Sequence, residues 1–346
     1  MKKIILASFL TLLFSGNTNA QCVITNLQDA NGNYIPLNYE CPYAGFNLSG
    51  TYNGVVYSGD AWLKPAAGNT LGQLRKPLIF VEGLDLDTEH HDTHRHGSRG
   101  WPNFISGIAS ETDPSEIIFD HLPILISELH NRGYDIFYLD FYDGTTYMQG
   151  NAMVLVDLIQ KITLNYAGPD NHSIVVAGAS MGGQIAKYAL SYMEKNNLKH
   201  CVGEYISIDS PHQGANIPMG MMQMLEQIAP LSDELQKYKD YLYSPAPMQL
   251  LINHSYSGAA GYRQSWLSDL AALGNYPKFC RKVAITNGSK TADELFSAGN
   301  QLADFQVNSL SPCNGNNFIR CKIHSNSGVG TPSFVYQGKF LKGANK

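Results

Sequence analysis

Ser180 stands in the pentapeptide Gly178-Ala-Ser180-Met-Gly182, after the apolar run Ser173-Ile-Val-Val-Ala-Gly178 and before an amphipathic stretch over 182–194. A serine at a sharp turn from strand to helix has strained backbone angles, and the chain there passes close to its neighbours on both sides. Gly178, Gly182 and Gly183 are the residues that avoid the clash. The turn lifts the hydroxyl above the sheet and points the first N–H groups of the helix at developing negative charge. The chemistry this predicts is nucleophilic acyl transfer through Ser180. The N–H of Met181 is one expected oxyanion donor. The second is expected from the loop after the apolar run Leu78-Ile-Phe-Val81, at the N–H of Leu84 just past Gly83. The spacing Gly-x-Gly-x-x-Gly of a dinucleotide loop is not matched at this turn.

Such a serine has to be held by a sheet, and the pattern supplies one. Apolar runs at 78–81, 136–142, 173–178, 203–209 and 283–287 alternate with helix-like bands at 118–132, 150–166 and 182–194. Short strands alternating with helices of this length predict a mostly parallel central sheet with helices on both faces. Residues 21 to about 76 are rich in Gly, Asn and Tyr. Their alternating run Tyr52-Asn-Gly-Val-Val-Tyr57 predicts a hairpin leading into that sheet. The alternation is interrupted after Asp209, so residues 213–275 are expected as a lid or cap insertion. Met219, Met221, Met222 and Met224 form its adaptable apolar face. The tail from 299 onward is Asn/Ser/Gly-rich, with one expected strand at 333–336.

The segments Ile174-Val-Val-Ala-Gly-Ala-Ser-Met-Gly-Gly183, Val81-Glu-Gly-Leu84 and Ser210-Pro-His-Gln-Gly-Ala215 give residues 77–287 a specific likeness. This stretch resembles the α/β-hydrolase fold family, in its lipase/esterase branch, and is similar to exported hydrolases of Bacteroidetes-type bacteria. The resemblance implies hydrolysis of carboxylic esters through an acyl-enzyme, with a small-molecule or lipid ester as substrate. It also implies that His212, in the Ser-Pro-His-x-Gly turn, is structural. The family order of nucleophile, acid and then histidine makes His324 the expected base. Asp293 is the first candidate for the acid, with Glu294 beside it, and Asp209, which closes the preceding strand, is the second. The same machinery suits amides, thioesters, acylated sugars and polyesters. A noncatalytic binding protein that kept the fold is the alternative of another class, because the tail does not read as the packed terminal helix of the family.

One other cluster has chemical potential. Asp85-Leu-Asp-Thr-Glu-His-His-Asp-Thr-His-Arg-His96 brings four histidines and four acids together, and His90, Asp92, His94 and His96 have spacings that suit a cation. They match no known metalloenzyme spacing, and a solvated rim to the site accounts for them as well. No metal or cofactor is therefore expected.

Composition bounds the remaining classes. The 346 residues are 44% hydrophobic and 15% charged, with a formal charge of −5, which is a poor match for a phosphate backbone. Lys2, Lys3, the apolar run Ile4–Phe14 and the small residues to Ala20 read as a secretory signal, cleaved after Ala20. This leaves 21–346 as a single domain, in the periplasm or outside the cell, with no transmembrane segment. Cys22, Cys41, Cys201, Cys280, Cys313 and Cys321 then allow up to three disulfides.

Overall fold

A computed structural model describes Asn31, Asn33 and residues 38–40, 43–66, 74–84, 123–165, 174–231, 233–286, 301–308, 318–324 and 336–341. The chain enters through β1 (Asn38–Glu40) and a long hairpin, β2 (Tyr43–Tyr52) and β3 (Val55–Lys64). Asn53 and Gly54 make the hairpin turn with φ of +51° and +78°. These are the left-handed angles of a two-residue turn that matches the twist of the strands, and Asn-Gly adopts them at little cost.

Five further strands, β4 (Pro77–Val81), β5 (Asp135–Phe141), β6 (Ile174–Ala179), β7 (Val202–Ile208) and β8 (Arg281–Ile285), complete an eight-stranded sheet. Its order is β1-β2-β3-β5-β4-β6-β7-β8. The strands β5, β4, β6, β7 and β8 run parallel to their neighbours, and β3 joins β5 antiparallel. All five residues of β4 are buried. Its side chains alternate between two cores, Ile79 and Val81 in the larger and Leu78 and Phe80 in the smaller. This is why the strand reads as an unbroken apolar run.

Helix α1 (Pro123–Asn131) covers the smaller core through Ile126, and α2 (Met148–Leu164) and α3 (Met181–Lys195) cover the larger. The expected parallel sheet with helices on both faces is therefore present. The chain leaves β4 for β5 on one side and later places β6 on the other, so the C-terminal ends of β4 and β6 flank a topological switch point. In open parallel sheets such a crevice is where ligands bind.

Between β7 and β8 the chain forms α4 (Met219–Ile228), a 3₁₀ turn at Ala229–Leu231, α5 (Asp233–Leu242), α6 (Pro245–Leu250) and α7 (Ala259–Ala272). The second half of this insertion is part of the scaffold. Ala246, Leu250, Trp266 and Leu270 enter the larger core, and Trp266 stacks on Tyr188 of α3 at 5.2 Å. Asp269 accepts hydrogen bonds from Tyr52 Oη at 2.7 Å and Gln149 Nε2 at 3.0 Å. The first half is more open: on α4, Gly220 and Met222 are buried while Met221 is 44% exposed.

The tail departs from expectation. It builds a separate three-stranded antiparallel sheet from β9 (Gln301–Asn308), β10 (Phe318–His324) and β11 (Tyr336–Leu341), in the order β11-β10-β9. The sequence offers one strand there, at 333–336, because Asn, Ser and Gly in the connecting segments mask the short alternations; residues 333–335 lie outside the described residues. Helix α4 packs against β10 and β11. Cys201 and Cys280 are free thiols, so three disulfides do not form; the other cysteines are not described in their side chains. Among the described residues no helix is long and apolar enough to cross a membrane, and no group of His, Cys, Asp and Glu is arranged to hold a metal.

Candidate active site

Ser180 sits between β6 and α3 with φ +50° and ψ −119°. An L-residue in this region stores roughly 1–3 kcal/mol of strain, which the surroundings must impose. They do so by close backbone approach. A Cβ on Gly178 would lie 2.4 Å from the Gly182 carbonyl carbon, and one on Gly182 would lie 2.2 Å from the carbonyl oxygen of Glu82. A Cβ on Gly183 would meet Ser210 Oγ at 2.0 Å. The first turn of α3 is thus wedged between the ends of β4 and β7, as the glycine spacing predicts. The Ser180 N–H donates to Ile208 O at 2.8 Å, and the hydroxyl does not cap the helix. Ser180 is half-buried, with its side chain left for chemistry.

Across the switch point, Gly83 lies against the serine: a Cβ there would be 3.4 Å from Ser180 Cβ. The 83–84 backbone is therefore beside Ser180, where the second oxyanion donor is expected. Glu82 fixes that backbone. Its side chain is 1% exposed and accepts from the Phe141 N–H and, at 3.2 Å, from the Tyr138 hydroxyl. It ties the end of β4 to β5. Sequence reading passed over Glu82, although an acid closing an apolar strand just before a glycine was a usable signal.

Asp209, the second candidate for the acid, lies beside Ser180. Ala179 pairs with Ile208 in the sheet, so Ser180 and Asp209 leave adjacent parallel strands side by side. Asp209 also has left-handed φ, +47°, and is exposed. Its N–H donates to Ile285 O at 2.7 Å, and its Oδ1 accepts from Thr286 Oγ1 at 3.3 Å. Asp293 and Glu294 lie outside the described residues, as does the whole histidine cluster from His90 to His96.

Three histidines have both ring nitrogens engaged. His200 accepts from the Val202 N–H at Nδ1 and faces Glu194 from Nε2 at 3.6 Å; burial holds its pKa below the usual value, with Glu194 opposing. His254 bonds Leu242 O through Nε2 at 2.8 Å and accepts from the Tyr256 N–H. His212 contacts Ser207 Oγ at 2.7 Å and Lys187 Nζ at 3.4 Å. Burial first, and then the Lys187 charge, push its pKa down to about 4. A structural role for His212 agrees with this. His324 is the last residue of β10, opposite Gln301 beyond a register shift, so it closes a strand where a loop was expected. Its side chain lies outside what the structure describes.

Residues 96–259 match the model of the PGAP1-like alpha/beta domain family. No curated protein matches the chain by sequence. Among solved structures, Candida antarctica lipase A in its closed state is 14% identical with a TM-score of 0.42, over 70% of this chain and 65% of that one. The rice cell wall degrading esterase LipA from Xanthomonas oryzae is 14% identical, with a TM-score of 0.33 over 72% and 65%. An esterase from Rhizomucor miehei is 11% identical, with a TM-score of 0.34 over 81% and 86%. The chain thus spans under two thirds of the length of the first of these relatives. The strand order, the serine turn at the switch point and the matching family model identify the fold as that of the α/β-hydrolases.

Proposed function

We propose that this protein is a serine hydrolase that cleaves carboxylic esters through an acyl-enzyme on Ser180. The observation that carries this reading is the Ser180 backbone itself. The surrounding contacts force a strained residue at a strand-to-helix turn, beside the loop after the central strand, and its hydroxyl is not used as a helix cap. Strain of this kind is maintained where geometry serves chemistry. In the reaction, Ser180 Oγ attacks the ester carbonyl as a base takes its proton, and the N–H groups of Met181 and Leu84 receive the oxyanion. The base then hands the proton to the leaving alcohol, and water repeats the sequence on the acyl-enzyme.

The base in this reading is His324. Its support is the family order, together with the prior engagement of His200, His212 and His254. Asp209, one strand from Ser180 at the same level, is the acid that the described residues support, and Asp293 is the other candidate. Lipid or small-molecule esters are the substrate class. The open, Met-bearing α4 is suited to act as a lid. We place the working enzyme outside the cytoplasm, after loss of residues 1–20.

The test is intact-mass analysis after treatment with a fluorophosphonate, on the protein as expressed and on Ser180→Ala. One adduct per chain, absent from the variant, is expected, together with a loss of ester turnover of about 10³-fold or more. A folded protein that takes no adduct would refute the mechanism and favour a binding protein on a hydrolase fold.

A further inference from the structure

An acid that serves Ser180 has to be held level with it. The turn that follows Asp209 is fastened to the helix that follows Ser180, next to the serine itself. Gly183 has no Cβ, and Ser210 fills the space one would take, its Oγ 2.0 Å from that position. Gln184, four residues from Ser180, donates from Nε2 to the Pro211 carbonyl. That oxygen also accepts from the Gly214 N–H at 2.9 Å, the bond that closes the turn 211–214 with Gly214 at φ +105°. One carbonyl, with its two lone pairs, therefore serves both the turn and its attachment to α3. The start of α3 is a firm base for this, because the Gly183 carbonyl accepts from the Tyr205 hydroxyl of β7 at 2.6 Å.

Gln184 is an expensive residue to keep here. It is 2% exposed, and its Oε1 is buried and meets no donor among the described residues. Turning the amide over would set Oε1 against the Pro211 oxygen, two acceptors face to face, so its orientation is fixed. The small net gain from one hydrogen bond is offset by the cost of the orphaned acceptor. Methionine, of similar length and volume, would fill the place without either. Stability therefore does not account for a glutamine at this point. What it does that an apolar side chain cannot is grip the Pro211 carbonyl.

We propose that Gln184 is a positioning residue of the catalytic site, tying the turn after Asp209 to the nucleophile helix so that the carboxylate stays level with Ser180. The proposal rests on Ser180 being the nucleophile and Asp209 the acid. Gln184 touches no reacting atom and acts through Asp209. From the side of β8, Ile285 O holds the Asp209 N–H and Thr286 donates to its carboxylate. Gln184 supplies the restraint from the other side, α3. Lys187 meets His212 one turn further along the helix, and that titratable pair is left in place when Gln184 is replaced.

The experiment compares the unmodified protein with Gln184→Met, Asp209→Asn and the double variant. The readouts are ester turnover against pH, the rate of fluorophosphonate labelling and melting curves. Gln184→Met is expected to melt within about 3 °C of the unmodified protein, while kcat falls at least about tenfold with little change in KM. A misplaced carboxylate stabilises the protonated base less, so the acid limb of kcat/KM moves to lower pH. In the Asp209→Asn background the same substitution has an effect of under about twofold, because the residue it acts through is gone. Gln184→Leu is carried alongside, so that the result does not depend on how one apolar side chain packs. Full activity in Gln184→Met, or an equal loss in both backgrounds, would overturn the proposal. So would a loss that follows melting temperature with an unmoved pH profile, or failure of both apolar variants to fold, since either makes the role structural. If the unmodified protein takes the label but Asp209→Asn stays active, the proposal falls and the nucleophile stands. If the unmodified protein takes no label, the esterase reading falls and the proposal with it.

Discussion

Ser180 and Asp209 occupy equivalent places on neighbouring parallel strands, and both take left-handed backbone angles just past the strand end. What surrounds them differs. Ser180 is half-buried, wedged by glycines against the carbonyl of Glu82, beside Gly83, and followed by Gly183, whose carbonyl accepts from the buried Tyr205 hydroxyl. Asp209 is exposed, with backbone and side-chain bonds to Ile285 and Thr286 at the outer strand β8. In one case many close contacts impose a single conformation. In the other a few hydrogen bonds near the sheet edge hold a charged group that remains in water. The Ser180 corner is specified by packing, and the Asp209 corner by a short list of polar partners, which makes it the easier of the two to vary.

The largest effect expected of this comparison is catalytic. If Asp209 is the acid, Asp209→Asn keeps the turn but lowers kcat/KM for a short-chain ester by about 10³- to 10⁴-fold, with little change in melting temperature. A loss of under tenfold would transfer the role to Asp293. The next effect is structural and falls on the other corner. Gly182→Ala places a methyl group against the Glu82 carbonyl, a backbone atom that cannot swing away. It should cost about 3 kcal/mol or more in urea unfolding. Unchanged stability would show that the elbow is looser than its contacts imply.

The smallest effect is a pH dependence between the two corners. The His212 pKa is about 4 when folded, below its ordinary 6.5, so the unfolded chain binds the extra proton first as pH falls. The stabilising contribution of a neutral His212 is therefore full above about pH 6.5 and is lost as the pH drops toward 4. Lys187 acts in the same direction at the other end: with a folded pKa of about 8, it makes the fold gain stability as pH rises from about 8 to 10.5. Melting curves across both windows should show these slopes. Substituting His212→Gln should flatten the acidic one and Lys187→Met the alkaline one.

Much of this was legible in the residues because local physics dictates it. The Asn53-Gly54 turn, the unbroken apolar β4 and the glycines around Ser180 each answer a constraint felt within a few residues, and each was found where the pattern put it. The insertion shows the limit. Residues 213–275 read as one lid or cap insertion without a division between its halves; α6 and α7 pack into the core through Trp266 and Leu270, whereas α4 keeps Met221 exposed. An amphipathic helix states that it has an apolar face but not what that face meets. The tail gave still less, because a three-stranded antiparallel sheet depends on pairings between distant segments.

By itself, then, the sequence determined the turn at Ser180 and the parallel sheet that carries it, because backbone sterics and hydrophobic period are local. Tertiary structure alone decided that Glu82 anchors the loop beside Ser180 and that Asp209 stands level with the serine. It also alone decided that Lys187 and Ser207 meet the two ring nitrogens of His212, and that Tyr205 reaches the Gly183 carbonyl. Those relations join residues from β4, β5, α3 and β7, and no spacing along the chain encodes which side chains a folded sheet brings within hydrogen-bond reach.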